Sequence, residues 1–279
     1  MPQPCQALHG LLKAIVREYR RILGSSLAGI YLHGSAAFGC FRWQTSDIDL
    51  LVAVKAPPSA LQKEALVRAL LAQNGAAPPA GFEMSVVLAR CCRQFVWPVP
   101  YELHFSNMHR ASFEKDLPAA CARMHGADKD LAAHFAVTRA AGITLWGENA
   151  RTMFCAVPPG AYKAAILHDV GTAVQDAGQK PVYVVLNLCR ALSFWRQGLV
   201  LSKQQGGEWA LAHLPPQWHP VVHAALQGYL YGAPFCAPAG QAQAFAAWAL
   251  RGLPPPSAAS PTTRRWRPTA PTSRTCAST

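Results

Sequence analysis

The stretch from Tyr31 to Val54 constrains this chain more than any other. It reads Tyr-Leu-His-Gly34-Ser35-Ala-Ala-Phe-Gly39, then a short insert, then Thr45-Ser46-Asp47-Ile48-Asp49-Leu-Leu-Val-Ala-Val54. One apolar run ends in Gly-Ser, and a second opens on two aspartates two places apart. Side chains alternate faces along a strand, so Asp47 and Asp49 point one way while Ile48 points into a core. Two neighbouring carboxylates repel each other unless a cation lies between them. Hard oxygen donors of this kind suit Mg²⁺, which binds through one or two carboxylates together with substrate phosphates. Glycine lets the backbone turn tightly, and the N–H groups after such a turn can cradle an anion; Ser35 adds a hydroxyl donor. Alone, Gly-Ser reads as a turn and Asp-x-Asp as a strand edge. Together, between apolar strands, they describe a nucleoside triphosphate site.

A third acid extends the pattern. Gly81-Phe82-Glu83-Met84-Ser85-Val86-Val87-Leu88 follows a Pro/Gly turn and contains a Val-Val pair, which is a strand signature. Glu83 opens this strand as Asp47 opens the one before. If the two strands are neighbours, three carboxylates converge. Metals roughly 3.5–4 Å apart could then clamp the attacking and leaving oxygens of a displacement at phosphorus.

Here the sequence resembles the nucleotidyltransferase superfamily related to polymerase β, and within it the streptomycin/spectinomycin adenylyltransferases. The resemblance runs from about Leu27 to Gly232 and rests on the order of its pieces. These are HGS…SDIDLLV, Pro100-Tyr-Glu102-Leu-His-Phe105, Asp128-Lys-Asp130-Leu, Leu145-Trp-Gly147, Val184-Val-Leu-Asn-Leu-Cys-Arg190, Ser202-Lys203 and Glu208-Trp209-Ala. It implies an α+β architecture, in which a nucleotidyltransferase domain (a mixed sheet with flanking helices) at residues 1–157 precedes a helical bundle at 158–251. It also implies transfer of AMP from ATP to a hydroxyl of an aminoglycoside or aminocyclitol, which confers resistance. By the resemblance, Asp47, Asp49 and Glu83 hold Mg²⁺, and Glu83 takes the proton from the attacking hydroxyl. Gly34, Ser35, Ser46, Asp130, Arg190, Lys203 and Tyr229 contact the nucleotide. The positions facing the acceptor depart from the streptomycin-binding pattern. Met108 stands where those members have tryptophan, and Lys180 and Tyr183 stand where they have an acid and a histidine. Lys180 should repel a polycation, whereas Glu102 and Asp176 could supply negative charge. Two other readings stay open: an adenylyltransferase acting on a protein or an RNA end, and a non-catalytic nucleotide binder.

The chain has 279 residues and a formal net charge of +12. Five arginines (251, 264, 265, 267 and 274) lie after residue 250, where there is no acid, and leaving them out gives +7 for the rest. A basic surface suits an anionic cofactor such as ATP. No Lys/Arg–aromatic stripe of the single-strand-binding kind is evident, so no nucleic-acid partner is expected. Nine cysteines show no framework spacing, which points to free thiols in a reducing compartment. There is neither a signal-like apolar region nor a run of membrane-span length. The expectation is a cytoplasmic monomer acting on a small molecule, with no membrane partner.

Periodicity predicts an amphipathic helix over residues 6–23, with Leu8, Leu11, Leu12, Ile15, Val16, Tyr19 and Ile22 on one side and Lys13, Arg17, Arg20 and Arg21 mostly on the other. A helix from Pro57 to about Gln73 and a single strand from Tyr101 to Phe105 are expected next. Asp128 reads as the N-cap of a helix over 130–140. Pro158-Pro159-Gly160 marks the domain boundary. Helices near 161–176, 182–196, 202–213, 217–231 and 240–250 would form the bundle. The ten histidines show no metal-ligand spacing, and the role of His33 is left open. From Pro254 on, Pro, Ser, Thr and Arg dominate. Residues 252–279 are expected to be disordered, and they read as unrelated to the helix before them, as an out-of-frame end would.

Overall fold

A computed structural model describes residues 4–255; most of the 252–279 stretch expected to be disordered lies outside the described residues. Among the described residues there are seven strands: β1 (Leu27–Leu32), β2 (Ile48–Val54), β3 (Phe82–Leu88), β4 (Val99–Tyr101), β5 (Leu103–Phe105), β6 (Gly126–Asp128) and β7 (Ile143–Gly147). Five of them form one sheet in the order β5-β3-β2-β1-β7. β2 and β3 pair in parallel, and the other neighbours in this sheet are antiparallel. Parallel neighbours need a long crossover, and the helix Ala60–Gln73 supplies it. Ser59 starts that helix with a capping box: its hydroxyl accepts from the Gln62 N–H, and the Gln62 side chain accepts from the Ser59 N–H.

Period-two alternation assigns the two faces. Leu50, Val52, Val54, Met84, Val86 and Leu88 face a core shared with the N-terminal helix Pro4–Leu23 and the crossover helix. Leu51, Ala53 and Val87 face a second core with Phe135, Met153 and Phe154. Asp49 and Glu83 lie on this second face, at the entering ends of β2 and β3. The helix Leu131–Ala141, which contributes Phe135, covers it.

The chain after Pro158 is helical: Pro159–Asp169, Ala173–Asp176, Pro181–Gln197, Lys203–His213, His219–Tyr231 and Gln241–Arg251. These helices share a third core around Val185, Leu188, Leu192, Val222 and Phe245. The helix Lys203–His213 lies close against Pro181–Gln197. A Cβ on Gly206 would come 2.7 Å from Arg190 Cγ, and one on Gly207 would come 2.6 Å from the Leu226 side chain. Among the described residues no helix is long and apolar enough to cross a membrane.

Three expectations need correction. The strand expected from Tyr101 to Phe105 is two strands: β4 pairs with β6 in a separate ribbon, and β5 pairs with β3. Pro100 has no N–H to donate to a ladder, and pairing with β3 begins at Glu102, whose N–H donates to Val86 O. The helix expected over 161–176 breaks between Asp169 and Ala173, around Gly171. Asp128 is not an N-cap; it ends β6, and its carboxylate accepts from the Asp130 N–H at 2.9 Å, a turn of the Asx kind.

Leu50→Ala would leave a cavity between the sheet and two helices, because Leu50 is fully enclosed. We expect a loss of about 2–5 kcal/mol in unfolding free energy, measured by urea denaturation. A loss under 1 kcal/mol would show that the site collapses freely.

Candidate active site

Parallel pairing sets the site. Asp49 and Glu83 are direct register partners across β2 and β3, and Asp47 precedes β2 by one residue. The three residues offer carboxylate oxygens that all lie within 4.8 Å of one another. Burial pushes the Asp49 carboxyl up to about 8, with further repulsion from Asp47 and Glu83. Glu83 is raised as well, by burial first and then by Asp47, Asp130 and Asp128. Three clustered carboxyl groups, with Asp49 and Glu83 holding their protons above the usual range, form a donor set suited to a cation. Hard oxygen donors at this spacing fit Mg²⁺.

The Gly-Ser turn closes on the same point. Gly34 has φ +60°, and a Cβ there would run into the Asp49 carboxylate. Glycine therefore serves twice: it takes the left-handed backbone and lets the turn approach the acids. The His33 N–H donates to Asp49 O at 3.0 Å, which fastens the turn to β2. Ser35 Oγ is buried and finds no hydrogen-bond partner among the described residues, although it lines the cavity. An orphaned donor of this kind needs a ligand. Ser46 is buried, and its hydroxyl accepts from the Arg42 N–H.

The cavity has a volume of about 300 Å³ and lies between the sheet and the helices that follow Pro158. From the far side come Arg190, Lys203, Tyr183 and Tyr229. Arg190 donates to Leu201 O and to Asn187 Oδ1, and among the described residues it makes no ion pair. Lys203 is the first helical residue after Ser202, which forms a capping box with Gln205. Its Nζ lies 4.9 Å from the centre of the Tyr183 ring. Burial, then Arg190, pulls the Lys203 ammonium below its usual range, while Asp47, Asp49 and Asp169 work against that shift. Tyr229 OH donates to Cys40 Sγ at 3.7 Å, which links the bundle to the loop after Ser35.

Of the residues singled out in the sequence, Gly34, Ser35, Ser46, Asp47, Asp49, Glu83, Asp130, Tyr183, Arg190, Lys203 and Tyr229 all line this cavity. Glu102, Met108 and Lys180 do not. Glu102 is at the break between β4 and β5, Met108 is 85% exposed on a turn, and Lys180 is exposed ahead of the helix Pro181–Gln197. Lys180 therefore adds no cation to the cavity wall.

Sequence reasoning missed His134. Its Nε2 lies 3.4 Å from Asp130 and 3.8 Å from Glu83. Burial alone would suppress the imidazolium, but Asp130, Glu83 and Asp49 together lift it to about 10. The available signal was the Asp130–His134 spacing of four on a helix, which puts both side chains on one face. His33 packs its ring 5.0 Å from that of His134 and is held neutral by burial. Asp169 was also missed. It lines the cavity, and its carboxylate accepts from Tyr183 OH at 3.0 Å.

The chain is similar to several known proteins. Residues 152–250 match a family described as the aminoglycoside adenylyltransferase C-terminal domain. The chain is 27% identical over 230 residues to a spectinomycin 9-adenylyltransferase of Staphylococcus aureus, covering 81% of this chain and 85% of that protein. It is 28% identical over 226 residues to an aminoglycoside (3'') (9) adenylyltransferase of Escherichia coli, covering 78% and 84%. Over most of its length the chain is similar to aminoglycoside adenylyltransferases. A crystal structure of spectinomycin adenyltransferase from Enterococcus faecialis, solved with ATP and spectinomycin, superposes with a TM-score of 0.72 at 16% identity, covering 88% of this chain and 98% of that one. That likeness establishes the shared α+β fold.

The acid cluster sets a pH dependence. In the fold Asp49 keeps its proton up to about pH 8, against 3.8 when unperturbed. His134 keeps its proton up to about 10, against 6.5. Between each pair of values the folded chain binds more protons than the unfolded one, so stability falls as pH rises. Asp49 acts across the lower window and His134 across the upper. Melting temperatures of metal-free protein in a chelator should drop steadily from about pH 5.5 to about pH 9, and His134→Gln should flatten the drop above pH 8. A melting temperature that holds level or climbs would contradict this.

Proposed function

We propose that the protein transfers AMP from Mg-ATP to a hydroxyl of an aminocyclitol of the spectinomycin type. One observation carries the reading: Asp49 and Glu83, paired in strand register, and Asp47 just before β2 face two basic side chains across a single cavity. The family's naming for AMP transfer supports the donor half.

Asp47, Asp49 and Glu83 are the residues that would hold Mg²⁺, and the metal when bound neutralises triphosphate charge and sharpens the electrophilicity of the α-phosphorus. Gly34 and Ser35 offer N–H and hydroxyl donors to the phosphates, and Ser46 lines the same wall. Lys203 and Arg190 reach in from the bundle, where a point charge and a planar fork each suit phosphate oxygens. Tyr229 borders the nucleotide beside Cys40. Glu83 takes the proton of the acceptor hydroxyl. Its raised affinity for a proton suits a general base. Transfer moves the AMP phosphorus from the pyrophosphate oxygen to the acceptor oxygen, releasing pyrophosphate.

On the acceptor side, Asp169 borders the cavity and suits an amine of a basic antibiotic, while Asp130 stays with the nucleotide, paired with His134. Tyr183 occupies this wall as well. Residues 1–157 would then supply metal and base, and residues 158–251 phosphate contacts and part of the acceptor wall. The free thiols among the described residues support work in a reducing cytoplasm, and an active unit complete within one chain supports a monomer.

Purified protein with Mg-ATP and spectinomycin should release pyrophosphate. Glu83→Gln should lower kcat at least about 100-fold while far-UV circular dichroism stays unchanged. Asp169→Asn should raise KM for spectinomycin and leave KM for ATP unaltered. Spectinomycin and streptomycin both inert with Mg-ATP, in the presence of measurable ATP binding, would refute the assigned acceptor class.

A further inference from the structure

The N-terminal helix turns a row of basic side chains outward, on the sheet face opposite the one that bears Asp49. His9, Lys13, Arg17, Arg20 and Arg21 recur at helical spacing, and all five are exposed. With Trp146 of β7 on the opposite bank, they line a groove of about 750 Å³. The Arg20 guanidinium lies over the Trp146 ring, 5.5 Å from its centre. No carboxylate lines the groove. Glu18, at its edge, pairs with Arg17 and Arg21. Four permanent cations against one acid leave a local excess of positive charge.

From the geometry we propose that this groove binds a single strand of nucleic acid. Residues 9 to 21 of a helix span about 18 Å, the length of about five stacked nucleotides at 3.4 Å each. A strand laid along the helix meets Lys13, Arg17, Arg20 and Arg21 in turn, which suits a phosphate backbone. The Arg20 guanidinium, seated on Trp146, offers a flat cationic face on which a base stacks. The shape speaks against a bilayer. The surface is concave, and none of the exposed large apolar side chains belongs to this helix; a membrane-lying helix presents such residues to the lipid. The apolar face, Leu11, Ile15, Tyr19 and Leu23, is consumed by the sheet core. The stripe was invisible in sequence because its cations and its aromatic ring come from opposite ends of the sheet-bearing half.

Fluorescence anisotropy of labelled 12-nucleotide single strands, one RNA and one DNA, with the full chain tests this. We expect binding to at least one strand that weakens steeply between about 50 and 200 mM salt. Arg17→Glu with Arg20→Glu should weaken binding at low salt at least about tenfold and flatten the salt slope. Lys13→Glu with Arg17→Glu, both on the exposed helix face, serves as a second pair should the first unfold the chain. Trp146→Ala, which leaves charge unchanged, should weaken binding about fivefold or more. Reversing the exposed Lys115 and Arg123, away from the groove, should change it less than about twofold at matched net charge. The proposal is overturned if neither strand binds, or if both sets of reversals weaken binding equally, which would mean that net charge alone attracts the strand. It is also overturned if anionic vesicles of phosphatidylserine and phosphatidylcholine bind the groove while both oligonucleotides do not.

Discussion

Mutual repulsion among Asp47, Asp49 and Glu83 is the constraint on which the rest of the structure depends. The parallel register of β2 and β3 puts two of these carboxylates side by side, and one residue before β2 brings the third. A folded chain keeps such a cluster only if its surroundings supply compensating charge or protons. Here they supply both. His134 stands against Glu83 as a cation, Lys203 contributes from across the cavity, and Asp49 keeps its proton until about pH 8. A divalent ion would offer the same compensation more strongly, because it would bring two positive charges to the three acids that would hold it.

The second half of the chain answers the first with opposite charge. Arg190 and Lys203 would be costly in a cavity without anions, since buried unpaired cations lose hydration. Packing holds them there all the same. Gly206 lets one helix come within a side chain's thickness of Arg190, and the Ser202–Gln205 capping box fixes where Lys203 enters. Acids on one wall and bases on the other create a field suited to a triphosphate with its metal. Neither half is electrostatically comfortable alone.

Much of this was legible in the linear sequence because the key distances are local or periodic. Asp-x-Asp on a strand has a fixed geometry, and Gly-Ser before it has few other uses. The placement of Glu83 rested on the guess that its strand neighbours that of Asp49, and the crossover helix makes this so. His134 was harder to see. Its partners are a helical neighbour, Asp130, and a residue on a distant strand, Glu83, and only the tertiary fold joins them. Asp169 was hidden because its helix was read as running on to 176, whereas the break near Gly171 leaves Asp169 at a helix end, facing the cavity. Met108 and Lys180 came from a positional likeness to streptomycin-binding relatives, and the turn and helix start that carry them point elsewhere in this chain.

The central claim is that the register-paired acids form one divalent-cation site. Titration with Mn²⁺ followed by electron paramagnetic resonance, in the presence of a non-hydrolysable ATP analogue, addresses it directly. Wild-type protein should bind Mn²⁺ with a broadened spectrum, and the Asp47→Asn/Asp49→Asn protein, still folded, should leave the ion in solution on the nucleotide, with no protein-bound signal at the same concentrations. Equal Mn²⁺ uptake by both proteins would contradict the claim.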